Sequence, residues 1–147
     1  MNEHDDAKRE LERFFNVQKP PIAELLGWEL VDLDPDRGWI SVAFTATDQF
    51  RNPAGNVHGG ILAAMLDDTM GPAVLVASHG KFYSPTINMN VSFARAAKPG
   101  RLIGEATVVQ MGRTVAFVDG RLTNDAGELL AFANCSVRLV PVETLQR

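Results

Sequence analysis

The residues best placed to do chemistry lie between positions 52 and 71, where a loop rich in proline and glycine runs into an apolar segment. The loop ends in His58-Gly59-Gly60, and a helix-like run begins there. Backbone N–H groups in the first turn of a helix have no acceptor within the helix and lie at its positive end. A glycine-rich helix start can therefore hold an oxyanion or polarise a carbonyl oxygen.

Two carboxylates, Asp67 and Asp68, interrupt the apolar segment. A carboxylate among apolar residues is costly unless it is paired, protonated or used in catalysis. Steps of three and four residues along a helix place Asp67 on a face of mostly small residues, whereas bulkier residues share the face of Asp68. We therefore favour Asp67 as the base or nucleophile, and we expect neither face to resemble a solvent-facing one. The residues on the face of Asp67 are Gly60, Ala63, Ala64, Met70, Gly71 and Val74.

The spacing of His58 and Asp67 limits how they can cooperate. Nine positions separate them, which is ~13 Å along a helix axis at ~1.5 Å per residue. They cannot form a hydrogen-bonded pair within one helix. If both act on one substrate atom, two copies of the chain must pack these helices antiparallel about a two-fold axis. The spacing then predicts a homodimer with its site at the interface.

Four basic residues, Arg95, Lys98, Arg101 and Arg113, are expected to cluster around two predicted turns. The cluster can be read as ordinary solvated charge or as a rim that binds the phosphates of a charged ligand. The residues alone leave both interpretations open. The net charge of −4 argues against a general affinity for nucleic acid.

No spacing typical of a metal or cofactor site is found. His58 has no second histidine at ligand spacing, since His4 and His79 are expected in a terminal tail and a loop. The lone Cys135 excludes an intrachain disulfide and is expected to fill the core. Nucleophile-elbow, phosphate-loop and dinucleotide motifs are missing. We expect neither a metal nor a cofactor.

The composition predicts one globular domain over residues 1–147, with 46% apolar and 22% charged residues. Uncharged apolar runs are too short for a membrane span. The first residues, Met-Asn-Glu-His-Asp-Asp, are acidic and polar, unlike a secretory signal. We therefore expect a cytoplasmic protein with no membrane partner.

Hydrophobic periodicity predicts two short helices, two strands, a long helix and four more strands. Asp5 or Asp6 is expected to cap the first helix, which Pro20-Pro21 ends. The second helix is predicted over 22–26, and the third over about 57–77, where Gly71-Pro72 should weaken or kink it. The predicted strands are 28–33, 39–45, 86–94, 101–111, 113–123 and 128–140.

The strand predicted over 86–94 alternates strictly. Its expected inward residues are Ile87, Met89, Val91 and Phe93, and its expected outward residues are Asn88, Asn90 and Ser92. An antiparallel sheet of six strands with the long helix on its inner face satisfies the element order. Such a helix is covered on most sides, which explains its apolar character nearly all round. The fold class predicted is α+β.

The sequence resembles the hotdog-fold thioesterases, and most closely their PaaI-like branch, which is named for phenylacetic-acid degradation. The resemblance extends from Leu25-Leu26-Gly27 to the last strand. Its most specific part is Asn52-Pro53-x-Gly55-x-x-His58-Gly59-Gly60, followed by Asp67. Weaker matches are Pro85-Thr86, Lys98-Pro99-Gly100 and Gly112-Arg113.

The resemblance implies a six-stranded sheet around one long helix, dimers that often pair into tetramers, and metal-free hydrolysis of acyl-CoA or aroyl-CoA thioesters. Asp67 would activate water or attack the carbonyl carbon, and the Gly59 N–H would polarise the carbonyl. Asn52 and His58 would position water or the carbonyl from the other chain. Thr86 stands where some relatives carry a hydroxyl that orients water.

Further residues are expected to contact the substrate, namely Gly60, Asp68, Arg95, Lys98 and Arg113. Two rival functions stay open. One is a hotdog acyl dehydratase or hydratase, although the proline-flanked histidine motif of those enzymes is missing. The other is a dimer that binds acyl-CoA without hydrolysing it.

Overall fold

The structure is a computed structural model that describes residues 2–17 and 19–145. The predicted domain limits, 1 and 147, lie outside the described residues. The helices are α1 (Glu3–Val17), α2 (Pro21–Leu26) and α3 (Gly59–Ala77). The strands are β1 (Glu29–Asp34), β2 (Trp39–Ala46), β3 (Phe82–Tyr83), β4 (Thr86–Phe93), β5 (Gly100–Met111), β6 (Val115–Asn124), β7 (Leu129–Arg138) and β8 (Val140–Pro141). Short 3-10 helices occupy Asp48–Phe50 and Val142–Leu145.

Six strands form one antiparallel sheet in the order β1-β2-β5-β6-β7-β4. Helix α3 packs against the inner face of this sheet, so the predicted α+β architecture is confirmed. Strands β3 and β8 pair separately. Periodicity could not find them because two residues are too few to show a repeat.

The close approach of α3 to the sheet depends on two glycines. A Cβ atom on Gly104 of β5 would clash with Thr69 Oγ1, and one on Gly120 of β6 would lie 2.7 Å from Met70 Cγ.

By length and apolar composition α3 could cross a membrane. Its packing against the strands accounts for that composition instead, since its inner residues are completely buried. These residues include Met65, Leu66, Met70, Ala73, Val74 and Val76.

The N-terminal helix begins earlier than its sequence predicts. Asn2 Oδ1 accepts a hydrogen bond from the Asp5 N–H at 2.9 Å, so Asn2 caps α1, and the predicted caps Asp5 and Asp6 were wrong. Acidic residues in a first turn still interact favourably with the helix dipole. On the other side of α1, Phe15 is buried against the Trp28 indole, with ring centroids 5.4 Å apart.

Helix α3 runs unbroken through Pro72 to Ala77, so the predicted weakening at Gly71-Pro72 does not interrupt it. Proline has no N–H and leaves the carbonyl four residues earlier without its helical donor. Here that carbonyl belongs to Asp68, and it accepts a hydrogen bond from Trp28 Nε1 at 2.9 Å. A distant side chain thus replaces the missing backbone donor.

Strand β4 departs from the strict alternation of its sequence. Thr86 lies opposite Val137 and Asn88 opposite Ser136, so Ile87 is the extra residue of a β-bulge. Ile87 and Phe93 are 59% and 54% exposed. The inward prediction was wrong for Ile87, which the bulge displaces. Phe93 lies opposite the buried Ala131, so it shares the inner face as predicted but stays exposed there. Met89 and Val91 pack against the core as predicted.

Candidate active site

The first half of the candidate site is the start of α3. His58 is the N-cap residue, and its Nδ1 accepts a hydrogen bond from the Gly60 N–H at 3.0 Å. A neutral imidazole whose Nδ1 accepts must carry its proton on Nε2. A Cβ atom at position 60 would lie 3.2 Å from that Nδ1, so glycine leaves room for the cap. His58 is exposed and presents Nε2 as a donor.

The N–H of Gly59 makes no hydrogen bond with any residue in 2–17 or 19–145. It belongs to the first turn of α3, where the helix supplies no acceptor. The Phe93 ring flanks it, since a Cβ atom on Gly59 would lie 3.4 Å from the ring carbons. Gly59 therefore offers a backbone donor beside an aromatic wall.

Asn52 organises the loop that leads into α3. Its Oδ1 accepts hydrogen bonds from the N–H groups of Ala54 and Asn56, at 3.0 and 3.1 Å. This leaves Nδ2 as the available end of the amide. Asn52, His58 and Gly59 therefore all present donors, which suit a carbonyl oxygen or an oxyanion better than a water that must lose a proton.

An open cleft of about 320 Å³ adjoins this helix start. Its lining includes Asn52, Asn56, Gly59, Leu62 and Phe93. Sequence reasoning missed Asn56 and Phe93 as lining residues. Asn56 could have been noticed as an amide two residues before His58, whereas the alternation of β4 gives the face of Phe93 and does not show that its ring is exposed.

The second half of the candidate site joins α3 to β4. The Thr86 hydroxyl donates to Asp67 Oδ1 at 2.6 Å. The bulge makes this contact possible, because it puts Thr86 on the same face as the buried Val137 rather than with Asn88. Asp67 itself is exposed, so the expectation that its face is not solvent-like was wrong at this residue. Met70 and Val74 of the same predicted face are completely buried, as expected.

Asp68 differs from its neighbour in environment. Burial, and then the nearby Asp67 carboxylate, raise the pKa of Asp68 to about 6. Its Oδ2 is buried and has no hydrogen-bond partner among the described residues. Among the described residues a hydroxyl meets Asp67 and none meets Asp68, and the choice between the two carboxylates stays a prediction. A substrate contact by Asp68 stays a prediction.

The predicted basic cluster is divided by the structure. Arg95, Lys98 and Arg101 line one groove of about 430 Å³, in which Arg95 pairs with Glu128 at 2.8 Å. Lys98 forms no ion pair within the described ranges 2–17 and 19–145. The groove meets the cleft of Gly59 at Arg95 and Ala96, which line both.

Arg113 does not belong to this cluster, and the prediction that placed it there was wrong. It follows β5, whose 12 residues span about 35–40 Å. Registers place Met111 opposite Ala116, then Val137, then Thr86. Arg113 therefore lies beyond the Thr86 end of the sheet, far from Lys98.

Two other chemistry-bearing groups lie outside this arrangement. His4, Asp34 and Asp36 could offer three ligand atoms within 4.8 Å of one another. His4 belongs to α1 rather than to a free tail, and its Nδ1 already lies 2.6 Å from Asp36 Oδ2. Cys135 is buried as predicted, and burial, Asp67 and Asp119 raise the pKa of its thiol to about 11. A thiol with so high a pKa is not nucleophilic near neutrality.

Comparison with known proteins identifies the family. Residues 54–131 match the model of the thioesterase superfamily. Acyl-coenzyme A thioesterase 13 of Homo sapiens is 33% identical over 96 residues, which cover 64% of this chain and 68% of that protein. The chain belongs to the thioesterase superfamily and is a thioester hydrolase.

Solved structures agree with this assignment. A phenylacetic acid degradation-related protein of Ralstonia eutropha JMP134 superposes with a TM-score of 0.80 at 36% identity, covering 90% of this chain and 98% of that one. The PaaI protein of E. coli has the same fold, with a TM-score of 0.77 at 20% identity and coverage of 95% and 96%. The resemblance to the PaaI-like branch and the hotdog fold are thus confirmed.

Proposed function

We propose that this protein hydrolyses acyl-CoA or aroyl-CoA thioesters without a metal, at two equivalent sites of a homodimer. The observation that carries the proposal is the Thr86–Asp67 hydrogen bond, which joins an exposed carboxylate to a hydroxyl on an uncovered surface. Membership of the thioesterase superfamily and the relative named acyl-coenzyme A thioesterase 13 support the substrate class.

Each site would combine two protomers. His58 and Asp67 are ~13 Å apart along α3, so one protomer cannot bring both to one carbonyl. The β4 edge of the sheet has no pairing strand in the described part of the chain. Beside it, α3 leaves a narrow stripe of partly or fully exposed residues, which includes Gly60, Ala63, Ala64, Asp67 and Gly71. A second copy related by a two-fold axis would cover both surfaces.

In the proposed reaction Asp67 is a general base. A water held by Thr86 and Asp67 attacks the thioester carbonyl carbon and gives its proton to Asp67. The negative oxygen of the tetrahedral intermediate accepts from the partner's Gly59 N–H, and such a donor contributes about 3–4 kcal/mol. When the intermediate collapses, the C–S bond breaks, CoA leaves as its thiolate, and Asp67 returns the proton to the thiolate.

The groove lined by Arg95 and Lys98 would take the nucleotide end of CoA. It continues directly from the cleft of Gly59, so a chain extending from the carbonyl would reach it. Arg95 already has an acidic partner, which leaves Lys98 as the stronger candidate for a phosphate contact. Arg113 would serve only if a second protomer brings it to the same CoA.

Mixed dimers test the shared site. A His58→Ala chain and an Asp67→Asn chain should each be nearly inactive alone. In a mixed dimer one site receives both defects and the other receives neither. Random exchange makes about half of the dimers mixed, so roughly a quarter of wild-type activity should return.

The readout is free CoA released from a panel of aryl and medium-chain acyl-CoA thioesters, with and without a chelator. Two affinity tags allow the mixed dimers to be purified after co-expression. Purified mixed dimers as inactive as their parents would contradict the shared site, provided that a thermal melt shows the His58→Ala homodimer to be folded. Activity lost in chelator and restored by a divalent ion would contradict the metal-free mechanism.

A further inference from the structure

The hydrogen bond from Trp28 to α3 compensates for a defect next to the proposed base. Pro72 has no N–H to donate to Asp68 O, and Asp68 follows Asp67 directly in the chain. The Trp28 indole donates to that oxygen at 2.9 Å. The backbone that carries Asp67 therefore depends on a side chain 40 residues away in sequence.

Trp28 is itself rigidly held. It follows Gly27, which ends α2 in the left-handed region at φ +69°. The Trp28 N–H donates to Ala23 O at 2.8 Å, and its side chain is only 4% exposed against Phe15. An indole fixed at both its backbone and its ring is a firm anchor for the carbonyl that it binds.

Other side chains fix the same turn of α3. Thr69 Oγ1 donates to Met65 O at 2.7 Å, and Ser84 Oγ donates to Gly71 O at 3.1 Å. Ser84 lies two residues before Thr86, so it also ties the turn to the strand that meets Asp67. These contacts hold the turn of α3 that carries Asp67, and they thereby fix the geometry of the Asp67–Thr86 pair.

We propose that Trp28 is a positioning residue for Asp67. Trp28 acts by binding the Asp68 carbonyl, which Pro72 leaves without a helical donor. This inference rests on the proposed role of Asp67 as the base. Trp28 need not touch the substrate: losing its N–H would leave the Asp68 carbonyl unpaired, shift the turn and misplace the carboxylate. Small misplacements of catalytic groups cost about ten- to a hundredfold in rate.

The test combines two variants. Trp28→Phe removes the donor but keeps a ring against Phe15, and its kcat should fall about tenfold. KM should stay within about twofold, because the groups proposed to bind the thioester belong to the start of the second protomer's α3 and not to the turn that Trp28 contacts. Pro72→Ala restores a backbone N–H opposite Asp68 O and should leave kcat near that of the wild type.

The double variant decides the question. In the Pro72→Ala background the Asp68 carbonyl has its own helical donor, so Trp28→Phe should cost less than about twofold in kcat. Assays well below the lowest melting temperature separate this effect from unfolding. A double variant as impaired as Trp28→Phe alone would overturn the proposal. Asp67→Asn is measured in parallel, and if it kept wild-type kcat the proposed function itself would fail. If Asp67→Asn were inactive but Trp28→Phe kept wild-type kcat, only the role of Trp28 would be rejected.

Discussion

The two ends of the candidate site are built in different ways. At the start of α3, residues 52 to 60 form their own hydrogen bonds, through Asn52 and the His58 cap, and present donors into a cleft. At Asp67 the contact with Thr86 joins residues 19 positions apart and stays exposed. The first half is held by hydrogen bonds within one short segment, whereas Asp67 in the second half is exposed. In the proposed reaction the first surface binds the carbonyl and the second activates water.

The largest loss of kcat is expected when the proposed base, at the Asp67 end of the site, is removed. Asp67→Asn keeps the shape of the side chain but cannot accept a proton, so kcat should fall by at least ~10²-fold. Asp68→Asn is the matched control and should cost much less, because Asp68 does not meet Thr86. Steady-state release of CoA measures both. The opposite ranking would show that the wrong carboxylate has been chosen.

Isotope labelling separates the two roles still open for Asp67. With a general base, one turnover in ¹⁸O-water places ¹⁸O in the released acid. With a nucleophilic Asp67, an anhydride forms between Asp67 and the acyl group, and if water then attacks its Asp67 carbonyl, the first turnover transfers an unlabelled carboxylate oxygen to the product. Mass spectrometry of the acid under single-turnover conditions detects this route, and an unlabelled product would contradict the general-base proposal. A labelled product would exclude an anhydride that water opens at Asp67.

The local half of the site was the half that the sequence could predict. Glycines, the capping histidine and the asparagine lie within nine positions, 52 to 60, so the short-range hydrogen bonds of one loop and one helix cap relate them. The position of Thr86 could not be predicted, because its face depends on a bulge at Ile87. Strict alternation puts Thr86 with the outward Asn88, and only the register with β7 reveals the change.

The fold shows the same division. Element order and periodicity predicted the six-stranded sheet and its helix, since each is recorded in a local repeat. The relation between Pro72 and Trp28 was hidden, because a proline predicts a broken helix unless a distant donor is known. The place of Arg113 was missed for a related reason. Lys98 and Arg113 each lie next to a turn, but these turns are at opposite ends of the long strand β5.

A smaller effect on activity is expected at Thr86. Thr86→Val keeps the branched shape and removes the hydroxyl, so Asp67 loses its partner and the proposed water loses one contact. We expect kcat to fall about tenfold, the low end of the loss for one hydrogen bond to a charged group. Thr86→Ser retains a hydroxyl and should recover most of the activity. If Thr86→Val matched the wild type, the Asp67–Thr86 contact would be irrelevant to turnover.

The smallest effect is on stability, and it separates Asp68 from Asp67. The folded protein raises the pKa of Asp68 from an ordinary value of 3.8 to about 6, chiefly by burial. Folding therefore favours the protonated acid. The contribution of protonated Asp68 to the free energy of unfolding is complete below pH 4 and is lost as the pH rises through about 6. Asp68→Asn, which stays neutral, should be as stable as the wild type near pH 4 and more stable by about 1–2 kcal/mol at pH 7.5, after a discount for solvent screening. Thermal melts at pH 4, 6 and 7.5 compare the two proteins. The melting temperature of Asp68→Asn should rise above that of the wild type by a few degrees between pH 4 and 6, and the difference should then level off. A gap that is constant across this range would mean that Asp68 does not titrate there, and that its carboxyl is better solvated than its burial on α3 indicates.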